Sequence, residues 1–109
     1  KIFGLDHQIV AARANVLGRT LELMGLLDEA RASFESALAI DEAAFGADHP
    51  NIARDANNLG SVLIHLGEAQ GAQAAVARAL AILEKHLPPD HPNLLMVRKN
   101  LADLIAMEQ

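Results

Sequence analysis

The sequence predicts an all-α fold in which helical hairpins repeat and stack into an α-solenoid. The composition and an internal repeat carry this prediction. Hydrophobic residues make up 51% of the 109 positions, yet aromatic residues make up only 3%, and most of the apolar residues are Ala and Leu. Ala and Leu are among the strongest helix formers, whereas the aromatic residues that favour strands are scarce. The composition therefore favours slim, closely packed helices.

The internal repeat has a period of 42 residues. Residues 4–45 align with residues 46–87 without a gap, and 17 of the 42 aligned positions are identical. A period of about 20 to 50 residues is typical of stacked arrays, in which each unit buries its apolar face against the next. We therefore expect one array over residues 1–109, with repeat 1 at 4–45, repeat 2 at 46–87 and a partial repeat 3 at 88–109.

Each full repeat is predicted to contain two helices, which gives about five helices in all. First helices are expected at 8–24, 50–66 and 92–107, and second helices at 28–44 and 70–86. Gly25 and Gly67 follow first helices, as left-handed C-caps do. Gly18 and Gly60 lie inside first helices, where glycine costs about 1 kcal/mol relative to Ala. Their equivalent positions indicate that the second helix of each repeat crosses closely there.

An Asp-His pair recurs at the same point of each copy, as Asp6-His7, Asp48-His49 and Asp90-His91. Histidine beside a carboxylate can indicate catalysis or metal binding. Packed helices lie about 8–10 Å apart, however, and zinc needs each nitrogen within about 2.1 Å, so the three histidines cannot share one ion. We interpret the pair as helix entry, in which Asp or His caps free N–H groups before a proline in the first turn. A pairwise metal or catalytic role is the alternative.

Charge and motif content exclude several functions. The net charge of −5 provides no basic cluster for nucleic acid or an anionic membrane, and no apolar run reaches the roughly 18 residues of a membrane span. The sequence contains no phosphate-binding glycine loop and no zinc-protease or nucleophile motif. We therefore expect no enzyme activity, cofactor or metal. The absence of cysteine fits a reducing compartment, and we expect a cytoplasmic location.

The small and large residues of the repeat follow a known order. Ala14, Leu17, Gly18, Leu21, Ala30, Phe34 and Ala37 together resemble the tetratricopeptide repeat signature. The 42-residue unit, with its Asp-His-Pro entry and Asn-Asn-Leu-Gly at 57–60, is similar to the longer variety found in kinesin light chains and many bacterial proteins. Two departures stand out. Gln8 replaces the proline in repeat 1, and Arg98 stands where the family has an aromatic residue, so its charge must reach out of the helix interface.

The resemblance implies protein–protein interaction, with a peptide held in a concave groove that the first helices line. By the family's register, the groove-facing residues are Asn15, Arg19, Leu23, Arg54, Asn57, Asn58, Ser61, His65, Lys99, Asn100 and Asp103. Asparagine can both donate to and accept from a peptide backbone, and arginine can meet acidic groups. Alternatively, Asn58 or Asn100 bonds a neighbouring helix. Met96 and Asn100 stand where arrays that capture chaperone tails carry Lys and Arg, so we do not expect that function.

Two other functions remain open alternatives. The first is self-association through the ends of the array, because the final helix carries apolar residues and no second helix covers it in the sequence. These residues are Leu94, Met96, Leu101, Leu104, Ile105 and Met107. The second is a ligand-sensing segment of a larger signalling protein. Residues 1–3 align with residues 43–45 at the end of a second helix, so we expect the chain to be an excerpt of a longer array.

Overall fold

Five α-helices make up the computed structural model, which describes the backbone of residues 3–107 and side chains from residue 7. The helices are α1 (Phe3–Leu23), α2 (Leu27–Phe45), α3 (Pro50–His65), α4 (Ala69–His86) and α5 (Pro92–Met107). α1 and α2 form one hairpin, α3 and α4 form the next, and α5 packs against α4. Over residues 3–107 there is no strand. The predicted all-α solenoid is confirmed.

Helix α1 begins earlier than predicted, at Phe3 rather than at residue 8. Pro50 and Pro92 begin α3 and α5, because a proline suits the first helical turn and forces the residue before it into an extended conformation. Repeat 1 carries Gln8 at this point, so nothing interrupts the helix. The prediction that Asp6-His7 is a helix entry is therefore wrong. Phe3 belongs to α1 rather than to a preceding second helix, and residues 1–2 lie outside the described residues.

Both first helices of the full repeats end in the predicted left-handed glycine. Gly25 has a φ of 82° and Gly67 a φ of 79°. The next amide in each case donates back across the turn: Leu26 N–H to Leu21 O, and Glu68 N–H to Leu63 O, both at 2.9 Å. These bonds satisfy carbonyls that the helix end would leave free. The chain thereby reverses into the second helix within a few residues.

A side chain of the second helix packs tightly against an internal glycine of the first helix in each full repeat. A Cβ atom added to Gly18 would lie 2.6 Å from Cε1 of Phe34, and one added to Gly60 would lie 2.7 Å from Cγ2 of Val76. Packed carbon atoms sit about 3.5–4.0 Å apart, so neither site has room for a methyl group. The predicted close crossing is confirmed in both repeats.

The core lies between first and second helices. The Phe34 side chain is fully buried with Ala30 and Val62. Leucines from both hairpins pack around this group: Leu21, Leu27, Leu59 and Leu66. A second cluster joins α3, α4 and α5 through Ile52, Ala53, Ala56, Leu63, Ala72, Val76, Ala79, Ile82, Val97 and Leu104. The exposed guanidinium of Arg98 reaches Glu84 at 3.4 Å, outside this core, as expected.

Truncating Phe34 is expected to be the costliest change to alanine in repeat 1. Removing a fully buried ring costs about 3–5 kcal/mol in a core that cannot close around the space. Chemical denaturation of Phe34→Ala measures the loss. Phe45→Ala is the matched control, because the Phe45 ring is only partly buried and stacks on His49 at 4.3 Å. A Phe34→Ala protein that melts within a degree or two of the parent contradicts the assigned register.

Candidate binding groove

Two neighbouring cavities open on the face formed by the first helices α1, α3 and α5. The larger has a volume of about 450 Å³, and its lining includes Arg19, Asn57, Asn58, Ser61, Met96 and Asn100. The second has a volume of about 430 Å³, and its lining includes Arg54, Asn57, Asn58, Leu83, Met96 and Val97. Asn57, Asn58 and Met96 line both cavities. We call the two cavities together the groove.

Seven of the eleven predicted groove residues line this surface. They are Arg19, Arg54, Asn57, Asn58, Ser61, Asn100 and Asp103. Asn15 instead lines a smaller hollow of about 260 Å³ beside the groove. Leu23 lies in a separate shallow hollow on α1. The remaining two, His65 and Lys99, are each held by an acidic neighbour.

The Asn15 amide is engaged inside the protein. Only 6% of the residue is exposed, and its Nδ2 donates to Oδ1 of Asp55 at 2.8 Å. Its own Oδ1 accepts from Nδ2 of Asn58 at 3.2 Å. These bonds tie α1 to α3, so Asn58 bonds a neighbouring helix as the alternative interpretation held. Asn57 and Asn100 are partly buried and form no side-chain hydrogen bond among the described residues.

A half-exposed guanidinium covers two buried carboxyl groups at the junction of repeats 1 and 2. Nη2 of Arg54 lies 3.3 Å from Oδ2 of Asp41, and its Nε lies 3.3 Å from Oδ1 of Asp55. Both aspartates have 0% exposure. Burial and the neighbouring Asp55 together raise the pKa of Asp41 from its ordinary 3.8 to about 7, against the opposing effect of Arg54.

Sequence reasoning missed these two aspartates, although a signal was present. Asp41 follows Phe34 by seven residues and Ala37 by four, so it lies on the apolar stripe of α2. Asp55 likewise lies on the stripe of α3, three residues after Ile52. A charged residue on an apolar stripe must find a polar partner or lose its charge.

Acidic side chains also hold the polar residues at the C-terminal end of α3. The hydroxyl of Ser61 donates to Oε2 of Glu22 at 2.8 Å, and Nδ1 of His65 lies 2.7 Å from the same oxygen. The Glu22 side chain is only 12% exposed, so α1 and α3 are joined at this end too. On α5, Lys99 pairs with Asp103 at 2.9 Å, and this hydrogen bond raises the pKa of Lys99.

The Asp-His pairs of repeats 2 and 3 cap helices, and histidine does the capping. Nδ1 of His49 accepts from the Asn51 amide at 3.0 Å, and Nδ1 of His91 accepts from the Asn93 amide at 3.1 Å. Repeats 2 and 3 therefore confirm the helix-entry interpretation, which fails only in repeat 1. Among the residues with described side chains, no three His, Cys, Asp or Glu residues form a group that could hold a metal ion.

Helical hairpins that stack side by side, with their first helices together on one open face, are characteristic of helical-repeat proteins. The chain belongs to the tetratricopeptide repeat family, whose sequence model matches residues 8–85. Proteins of this family are generally protein–protein interaction modules. No curated protein matches the chain. In the described part of the chain, no helix is both long and apolar enough to cross a membrane.

Two similar solved structures come from Podosopora anserina. One is a putative kinesin light chain with nearly identical TPR-like repeats, at 26% identity and a TM-score of 0.81. The match covers 86% of this chain and 44% of that one. A single-residue variant of that protein matches at 24% identity and a TM-score of 0.80, covering 89% of this chain and 46% of that one. The chain thus spans less than half the length of these structures, and the predicted resemblance is confirmed.

Replacing His49 by alanine is expected to cost about 1 kcal/mol, because the Asn51 amide loses its acceptor. His7→Ala is the matched control, since His7 is the equivalent residue but lies exposed within α1. Thermal or denaturant unfolding of both variants measures the difference. Equal losses for the two variants would show that the capping bond at His49 does not contribute to stability.

Proposed function

We propose that the chain binds a peptide segment of a partner protein in the groove. The main support for the proposal is a pair of amides, Asn57 and Asn100, on the wall of an open 450 Å³ cavity, whose side chains form no hydrogen bond within the described part of the chain. A side-chain amide can donate to a peptide carbonyl and accept from a peptide N–H at once. Two such amides on α3 and α5 suit an extended backbone that crosses both helices.

The charge and polarity of the groove favour a partner segment of defined chemistry. Arg19 lines the larger cavity and forms no ion pair or side-chain hydrogen bond among the described residues, so a carboxylate of the partner is its natural counterpart. The second cavity has an apolar wall formed by Ala53, Leu83, Leu87 and Val97. An apolar side chain of the partner would be buried there.

We propose neither nucleic-acid binding nor catalysis for this chain. The net charge of −5 argues against a nucleic-acid partner. The polar lining of the groove includes amides, Arg19, Arg54 and Ser61, and the Ser61 hydroxyl donates to the carboxylate of Glu22 rather than to a histidine base, unlike the serine–histidine pair of nucleophilic catalysis. We therefore propose a binding function without catalysis or a cofactor, and a cytoplasmic location, which the cysteine-free composition supports.

Self-association is the second candidate, and exposed apolar side chains on α5 favour it. Ile105 is 45% exposed and Met107 is 72% exposed. The uncovered surface is smaller than the sequence predicts, because Leu94 and Leu104 are buried. Static light scattering over a concentration series tests this candidate. A monomer at the highest concentration excludes it, whereas a concentration-dependent dimer supports it.

Selection of a displayed random-peptide library on the protein tests the groove directly. Enriched peptides should carry an acidic residue and bind in the micromolar range or weaker, as small interfaces do. Their amide chemical-shift changes should centre on Asn57 and Asn100. Arg19→Glu should weaken binding at least about tenfold, since a charge-assisted hydrogen bond is worth about 1.5–3 kcal/mol.

Arg13→Glu is the control for that substitution, because Arg13 is exposed on the same helix but lines a different hollow. It makes the same change in net charge and should leave the affinity unchanged. Equal losses of peptide affinity for Arg19→Glu and Arg13→Glu would show that the effect comes from net charge and not from a contact of Arg19 with the peptide. Chemical-shift changes confined to the second helices, around Glu35, would place binding on the opposite face and contradict the proposal.

A further inference from the structure

Two buried carboxyl groups contact the guanidinium of Arg54 at the junction between the repeats, and no other cation within the described part of the chain pairs with them. Asp41 comes from the second helix of repeat 1, and Asp55 from the first helix of repeat 2. Oδ1 of Asp41 and Oδ2 of Asp55 are buried, and neither has a hydrogen-bond partner among residues 7–107. An unsatisfied buried polar atom costs about 1–3 kcal/mol, and a charged one costs more. Both groups ionised would leave one negative charge uncompensated by Arg54.

We propose that Asp41 and Asp55 share one proton, and that this shared proton stabilises the packing of repeat 1 against repeat 2. We call the shared proton the latch. In the latched state the Asp41 carboxyl is protonated and its O–H donates to the Asp55 carboxylate. One proton thereby gives both unpartnered oxygens a partner. It also leaves one negative charge opposite the positive charge of Arg54, so the buried cluster becomes neutral.

The groups around Asp41 support this arrangement. From α3, Arg54 contacts the Asp41 carboxyl at 3.3 Å and the Asp55 carboxyl also at 3.3 Å, so one guanidinium holds the two groups side by side. α1 contributes the neutral amide of Asn15, which bonds Asp55. From α4, Arg78 pairs instead with the partly exposed Glu42 at 2.6 Å. The raised pKa of Asp41 is the response expected of a carboxyl group buried beside a second one.

The buried pair is connected to the groove by a chain of hydrogen bonds. An ionised Asp55 only accepts, so Asn15 must turn its NH₂ group towards Asp55 and its oxygen towards Asn58. Asn58 then turns its own NH₂ group inward and leaves its oxygen available to the groove. Arg54, the other contact of the pair, lines the second cavity. The significance of this connection to the groove rests on the proposed function, whereas the shared proton itself does not.

Stability as a function of pH distinguishes the latch from an ordinary carboxylate pair. The folded-state pKa of Asp41 lies above its unfolded value of 3.8, so its contribution is fully present below that value and is lost as the pH rises through about 7. The folding equilibrium constant of the parent should therefore fall by up to about tenfold per pH unit between pH 5.5 and 7 relative to Asp41→Asn. The substituted amide cannot ionise, yet its NH₂ group can still donate to Asp55.

Glu42→Gln is the matched control, because it removes the adjacent carboxylate on the same helix without touching the pair. It should keep the pH dependence of the parent, including any contribution from the five histidines. Urea unfolding of the three proteins at pH 5.5, 6.5, 7.5 and 8.5 gives the comparison. If Asp41→Asn shows the same pH dependence as the parent, the latch is wrong.

A titration of the parent protein decides the question even if Asp41→Asn fails to fold. The side-chain carboxyl carbon of Asp41 should titrate near pH 7 in a ¹³C NMR experiment, and the Arg54 Nε–H resonance should move with the same midpoint. A midpoint near the ordinary value of about 4 overturns the proposal. None of these measurements uses a groove ligand, so the latch and the peptide-binding function can fail independently.

Discussion

The fold depends on how closely the two helices of each repeat approach at Gly18 and Gly60. At these points the second helix presses the Phe34 ring or the Val76 side chain against a bare backbone, with no space for a methyl group. The second helices also bury short side chains, which allow the two helices of each repeat to pack closely: Ala30, Ala37, Ala72 and Ala79. The contact fixes the spacing within each hairpin, and equal hairpins stack with their first helices on one side. The groove is the consequence of that stacking.

The same residue has different roles in successive repeats, because the next repeat offers it different neighbours. Asn15 and Asn57 occupy equivalent positions 42 residues apart. Asn15 is buried against repeat 2, where Asp55 accepts a hydrogen bond from its amide. Repeat 3 has Val97 at the position equivalent to Asp55, and the Val97 side chain offers no acceptor, so the Asn57 side chain on the groove wall forms no hydrogen bond with the described residues. Repeat identity thus predicts the backbone, and the differences between copies decide which amides are held by a neighbouring helix.

The sequence predicted what depends on local or periodic signals. The 42-residue period located the hairpins, the glycines located the turns and the close crossings, and the Asp-His-Pro segments located two helix entries. The start of α1 was missed because the periodic alignment was extended to repeat 1, although Gln8 lacks the steric effect of proline. Local signals thus overrule the repeat where the two disagree.

The buried polar cluster could not be predicted in the same way. Asn15 and Asp55 are 40 residues apart, and Arg54 and Asp41 are 13 apart, so only the packed structure shows that they meet. The apolar stripes of α2 and α3 contain a signal that Asp41 and Asp55 are out of place, but the prediction did not use it. That signal could not reveal that Arg54 contacts both aspartates, because this depends on how one repeat packs against the next.

A double-mutant cycle between residues 60 and 76 tests the central constraint most directly. Gly60→Ala, Val76→Ala and the double variant are compared with the parent by denaturant unfolding. The added methyl group should destabilise the parent but fit the space left by Val76→Ala, so the account predicts a favourable coupling of about 1 kcal/mol or more. Losses that add within about 0.3–0.5 kcal/mol would show that the two positions do not meet, and would contradict the close crossing on which the array depends.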